Sequence, residues 1–113
     1  GYCCSQMIME MGLRRLDKEN EDLVAAMAGL CDGVWCGKVC GILSAAVCLL
    51  YLADPKEASE SRVEELTEWF EDTFGSTECS DLVGDNPLSK IEKCPMMIEA
   101  TFHMVEELME WDE

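Results

Sequence analysis

The sequence predicts an all-α fold, a single compact bundle of about five helices around a central apolar helix. Three observations carry that expectation. No stretch alternates apolar and polar residues as a strand would. Apolar residues instead recur three and four apart, as at Leu23, Val24, Met27 and Leu30, or Val63, Leu66, Phe70 and Phe74. The most apolar run, Val39 to Ala53, spans 15 residues, too short for the ~20 that cross a bilayer and suited to a buried core helix.

The elements follow in order. Met7, Ile8, Met11 and Leu13 give a first helix ending near Arg14 and Arg15. With no initiator methionine ahead of Gly1-Tyr2-Cys3-Cys4, these residues read as the last turns of a helix whose start lies before the chain. Asp17 is placed to cap a second helix, whose apolar stripe runs to Cys31, and Asp32-Gly33 stops it. The third helix is expected from Gly37 or Lys38 to Ala53. Gly37, Gly41 and Ala45 would then form a face almost without side chains. Each interior glycine costs a helix ~1 kcal/mol, so such a face implies a tight helix crossing or room for a cofactor. Asp54-Pro55 opens the next helix, with aspartate at the N-cap and proline in the first turn, and Gly75 ends it. Residues 76–93 read as irregular, broken by Gly84, Asn86 and Pro87, with a short turn at Ser80 to Val83. Cys94-Pro95 then starts a last helix whose apolar side runs from Met96 to Trp111. The whole reads as one domain, residues 1–113, helical and cysteine-rich.

The formal charge of -16 argues against nucleic acid, which is bound through basic surfaces. Eight acids fall between Asp54 and Asp72. They read first as solvated helix faces, and second as a docking surface for a basic partner.

Eight cysteines in 113 residues exceed ordinary usage. A disulfide scaffold is disfavoured because such scaffolds are loop-rich, whereas Cys40 and Cys48 fall in a helical apolar run. Metal-bound or redox-active thiols in the cytoplasm of an anaerobic prokaryote fit better. A thiol at a helix start sees free N–H groups and the positive end of the dipole, which favour thiolate. Cys94, Cys36 and Cys40 are assigned such positions, and Cys79 lies in the irregular segment. Cys48 reads as core and Cys31 is left open. Of Cys3 and Cys4, whose side chains diverge by ~100° on a helix, one faces the site. No Cys-x-x-Cys pair occurs. His103 reads as a structural or surface residue, and the eight methionines as core filling.

Gly1-Tyr2-Cys3-Cys4-Ser5-Gln6 resembles the Gly-aromatic-x-Cys-Ala-Gln opening of the C_GCAxxG_C_C family of redox-active proteins. Cys40 to Ala45 lies where that family has Cys-Gly-Ala-x-x-Gly, departing from it at Ile42 and Ala45. Phe74 to Leu82 is similar to its third-cysteine segment, and Cys94 before a terminal helix matches the fourth. The resemblance implies that Cys4, Cys40, Cys79 and Cys94 are the functional cysteines, with Cys36 a candidate accessory. Cys3, Cys31, Cys36 and Cys48 lie outside the pattern. Related domains beside split-Soret cytochromes imply an iron–sulfur centre, here expected to be of the two-iron type.

The expected function is therefore an electron carrier or accessory redox subunit rather than a stand-alone enzyme, with a basic redox partner, no nucleic acid and no membrane span. Its small size and methionine content are compatible with a homodimer. The alternatives are a metal-free thiol–disulfide protein using the same four cysteines, with Cys94 as attacker, and a structural zinc subunit.

Overall fold

Gly41–Ala53 forms helix α3, and the other elements pack around it. In the computed structural model, which describes residues 3–83 and 87–110, Ile42, Leu43, Ala45, Ala46, Leu49 and Leu50 of α3 are all buried. Helix α1, Cys4–Arg15, is its main neighbour and buries Ser5, Ile8, Met9, Gly12 and Leu13. These fall at spacings of three and four, one stripe of a helix. A Cβ on Gly12 would enter the Leu49 side chain, so this crossing depends on the missing methyl group. Met7, assigned to the apolar stripe, is exposed.

The capping of helix α2, Glu21–Ala26, differs from expectation. Asn20 caps it, its side chain accepting the Leu23 N–H at 3.0 Å. Asp17 instead ends α1 in the left-handed conformation, φ +59°. There Asp17 N–H donates to Arg14 O and Lys18 N–H to Leu13 O, the paired bonds of a Schellman turn. Aspartate tolerates that conformation better than most residues, so it was free to serve the earlier helix. A 3₁₀ turn, Met27–Leu30, follows α2.

The start of α3 also differs. Helix geometry begins at Gly41, and Gly37 and Lys38 lie outside it. The reason is local and tertiary together. Asp32, Gly33, Val34 and Trp35 have φ of 52°, 62°, 59° and 62°, a left-handed turn, and Gly37 follows at +75°. Residues 38–40 then spend their backbone groups on another segment. Cys40 N–H donates to Thr77 O (2.8 Å), and Cys79 N–H donates to Lys38 O (2.6 Å), around an isolated antiparallel bridge between Val39 and Glu78. The face of small residues is thus reduced to Gly41 and Ala45.

Asp54 caps the next helix as expected, accepting the Glu57 N–H at 3.2 Å with Pro55 in the first turn. Helix α4, Pro55–Glu57, runs through a π turn, Ala58–Arg62, into α5, Val63–Phe74. Leu66 and Phe70 are buried there, and the Phe70 and Phe74 rings meet edge to face at 4.8 Å. Gly75 ends α5 at φ +92°.

Helix α6, Cys79–Val83, occupies the expected short turn. The last helix, α7, runs Pro87–Met109, so it begins at Pro87 and carries Cys94-Pro95 in its interior. Both prolines offer a helix-start signal, and the earlier one prevails. Pro95 costs the helix one backbone hydrogen bond, while Met97, Ile98, Phe102 and Val105 bury against the core. Met96, assigned inward, is exposed. Gly84, Asn86 and Trp111 lie outside the described residues. Among the described residues no helix is long and apolar enough to cross a membrane.

Candidate thiol site

Cys40 occupies the N-cap of α3. The backbone N–H groups of Ile42 and Leu43, free donors of the first helical turn, draw its pKa down. Burial outweighs them. It is the largest influence, and together with the charges of Cys4 and Cys79 it pushes the Cys40 thiol up to about 12. Burial also raises Cys79, and its electrostatic interaction with Cys4 acts in the same direction. Cys4, Cys40 and Cys79 therefore lie within reach of one another's charge, although they come from three separate segments.

Each is delivered by a different piece of local structure. Cys4 is the first residue of α1, whose opening turn is closed by Cys3 N–H donating to Gln6 Oε1 at 3.1 Å. Cys79 is the first residue of α6 and is held beside Cys40 by the two backbone bonds around Val39 and Glu78. Two glycines make the approach feasible. A Cβ on Gly33 would lie 2.5 Å from both Lys38 N and Lys38 O and 2.8 Å from Cys79 Cβ. A Cβ on Gly41 would lie 2.6 Å from Leu30 O. Of the two explanations for the glycines in this stretch, close packing of backbone is the one the structure supports at Gly41.

The segment entering the site is strained. A left-handed residue costs ~1–2 kcal/mol unless it is glycine, and β-branched Val34 is the least suited to it. Trp35 anchors the turn by donating its indole N–H to Ala28 O at 2.9 Å, yet its ring is largely exposed. Strain of this kind persists only where the surroundings over-determine it, and it concentrates at functional sites.

Cys94 is half-buried in α7, which packs against α1, α3 and α6, the helices of the other three cysteines. It is not at a helix N-terminus, so the argument for a thiolate stabilised by free N–H groups does not apply to it. Cys36, just after the left-handed turn, is exposed, with its sulfur 3.7 Å from Gly33 O. Cys48, expected in the core, is exposed instead. On α3 the buried arc is 42, 43, 45, 46, 49 and 50, and position 48 falls outside it. His103 is also exposed, 3.3 Å from Glu106. Among the described residues no three His, Cys, Asp or Glu side chains gather as ligands of a single metal ion.

One pairing was not foreseen: Cys3 and Cys31 form a disulfide, with Cα atoms 6.3 Å apart. The divergence of Cys3 and Cys4 on a helix was the available signal. Cys4 goes toward Cys40 and Cys79, and Cys3 goes toward Cys31.

No curated protein and no solved structure matches the chain. The family model described as "Putative redox-active protein (C_GCAxxG_C_C)" matches residues 2–108. With nearly its whole length matched, the chain belongs to that family.

Proposed function

We propose that the chain is a small electron-transfer protein, or an accessory redox subunit, in which Cys4, Cys40, Cys79 and Cys94 hold an iron–sulfur cluster of the two-iron type. The observation that carries this reading is the closeness of two further thiols, Cys4 and Cys79, to buried Cys40, on which their charges act. Sulfur is a soft donor suited to iron–sulfur clusters or zinc. Thiols crowded in a buried place stay protonated because their thiolates are poorly solvated and repel one another. A cationic metal centre reverses that balance and deprotonates coordinating thiols. We prefer iron–sulfur to structural zinc because the sequence has no paired Cys-x-x-Cys knuckle. When bound, the cluster would supply one-electron transfer. The chain's own part is to supply thiols from α1, α3, α6 and α7 and to shield them. Its charge of -16 would steer a basic redox partner.

The test is anaerobic purification followed by an absorption spectrum and assays for iron, acid-labile sulfide and zinc. The reading expects a coloured protein with iron and sulfide in equal amounts, both lost on replacing Cys40 or Cys79 by serine. Colourless protein without iron or sulfide overturns it, and one equivalent of zinc would select the structural reading. A metal-free thiol–disulfide protein is the second reading, favoured by the mutual closeness of the same thiols. It expects the free thiol count at these four positions to rise on mild reduction.

A further inference from the structure

The Cys3–Cys31 disulfide lies outside the four-cysteine set, and its surroundings are asymmetric. Cys31 is 1% exposed, whereas Cys3 is half-buried and is the more accessible residue of the pair. Ser5 sits beside both. It is fully buried, one of two buried polar side chains among the described residues, in a core otherwise made of apolar groups. Its Oγ lies 2.8 Å from Cys31 Sγ, 3.6 Å from Cys3 Sγ and 2.6 Å from Met27 O.

A serine hydroxyl has one hydrogen. In the disulfide form the Met27 carbonyl takes it, at 2.6 Å. The disulfide sulfurs carry no hydrogen to give in return. The 2.8 Å contact to Cys31 therefore becomes a full hydrogen bond only after reduction. A Cys31 thiolate accepts from Ser5, and a Cys31 thiol donates to Ser5 Oγ while Ser5 keeps Met27. The hydroxyl is placed for the reduced state, which a purely structural cross-link does not need.

We propose that Cys3–Cys31 is a redox-active disulfide, a second centre beside the four-cysteine site, which exchanges with a dithiol. One thiolate of the dithiol attacks Cys3 Sγ. The Cys3–Cys31 bond breaks, its electron pair leaves on Cys31 Sγ, and Ser5 turns its O–H to that sulfur before a proton arrives from solvent. The dithiol's second thiol, losing its proton to solvent, attacks its own sulfur in the mixed disulfide. That electron pair leaves on Cys3 Sγ, which is protonated in turn. The dithiol is oxidised to a disulfide, and the protein disulfide is reduced to two thiols. A leaving sulfur stabilised as thiolate departs faster, which is the contribution of Ser5.

The test uses the full chain, folded, with dithiothreitol as the dithiol. Samples are quenched by alkylation at intervals and the modified cysteines mapped by peptide mass spectrometry, with circular dichroism recorded throughout. Cys3 and Cys31 should become alkylatable together while the circular dichroism stays native, and oxidised dithiothreitol should close them again. Ser5→Ala should slow the opening about tenfold, equivalent to ~1.4 kcal/mol, because the leaving Cys31 thiolate loses its donor. A disulfide that opens only in denaturant overturns the proposal. So does a Ser5→Ala protein that folds and is reduced at the original rate. If Ser5→Ala does not fold, the wild-type measurement decides alone.

Discussion

Replacing Gly41 by alanine tests how the thiol site is assembled. The added Cβ would lie 2.6 Å from Leu30 O, 3.2 Å from Leu30 C and 3.4 Å from Cys31 Cα. Comfortable separations for such atoms are about 3.5–4.0 Å, so α3 and the Leu30–Cys31 backbone must part by roughly 1 Å. The obstacle is backbone, which cannot rotate aside as the tip of a side chain can. Overpacking of this kind costs about 1–3 kcal/mol, offset by less than ~1 kcal/mol of helix propensity because the position is the first of the helix. A net loss of ~1–2 kcal/mol lowers the thermal midpoint by about 4–8 °C in a chain of this size. Thermal unfolding followed by circular dichroism at fixed redox state measures it. Gly29→Ala is the control, because a Cβ there meets nothing within 4 Å. It should leave the midpoint within a degree or two or raise it. A Gly41→Ala protein as stable as wild type, or an equal loss at Gly29, would refute the close-packing argument.

Three more predictions rest on other features. In metal-free protein, stability should fall as pH rises from about 9 to about 12, because folded Cys40 keeps a proton that the unfolded chain has released. At ~1.4 kcal/mol per unit the loss approaches about 4 kcal/mol at the top of that window, and urea midpoints against pH should fall more steeply in wild type than in Cys40→Ala, where raised Cys79 still contributes. Gly33→Ala should destabilise by ~2–3 kcal/mol, since it meets both a left-handed φ of +62° and the Lys38 backbone. It should also free Cys79 for faster alkylation. Val34→Asn should stabilise by about 1 kcal/mol in urea, because asparagine accepts the φ of +59° that valine resists and the position is exposed.

Local chemistry was readable wherever one short signal had one interpretation. Asp54-Pro55 and Gly75 bracket α4 to α5 because proline in a first turn and glycine past a last turn have few competing uses. The same logic failed where two signals competed. Asp17 and Asn20 are both good caps, and which serves α2 depended on how α1 ended. Pro87 and Pro95 both suit a helix start, and the helix begins at the earlier one. In α3 every position is apolar or small, so hydropathy had no contrast from which to tell exposed Cys48 from buried Ala45 and Leu49.

The sequence by itself determined the helical class and the apolar helix at the centre, because periodicity and capping are written in neighbouring residues. It held the thiols as a pattern along a chain. Only the tertiary structure decided their company. Cys4 and Cys79 reach Cys40 through a left-handed turn at Asp32–Trp35 and a backbone bridge between residues 78 and 39, neither of which has a local signature. Cys3 finds Cys31 from 28 residues away, with Ser5 between them and the core. Contacts of that kind are settled by which surfaces close against α3, and a sequence pattern records the surfaces without recording the closure.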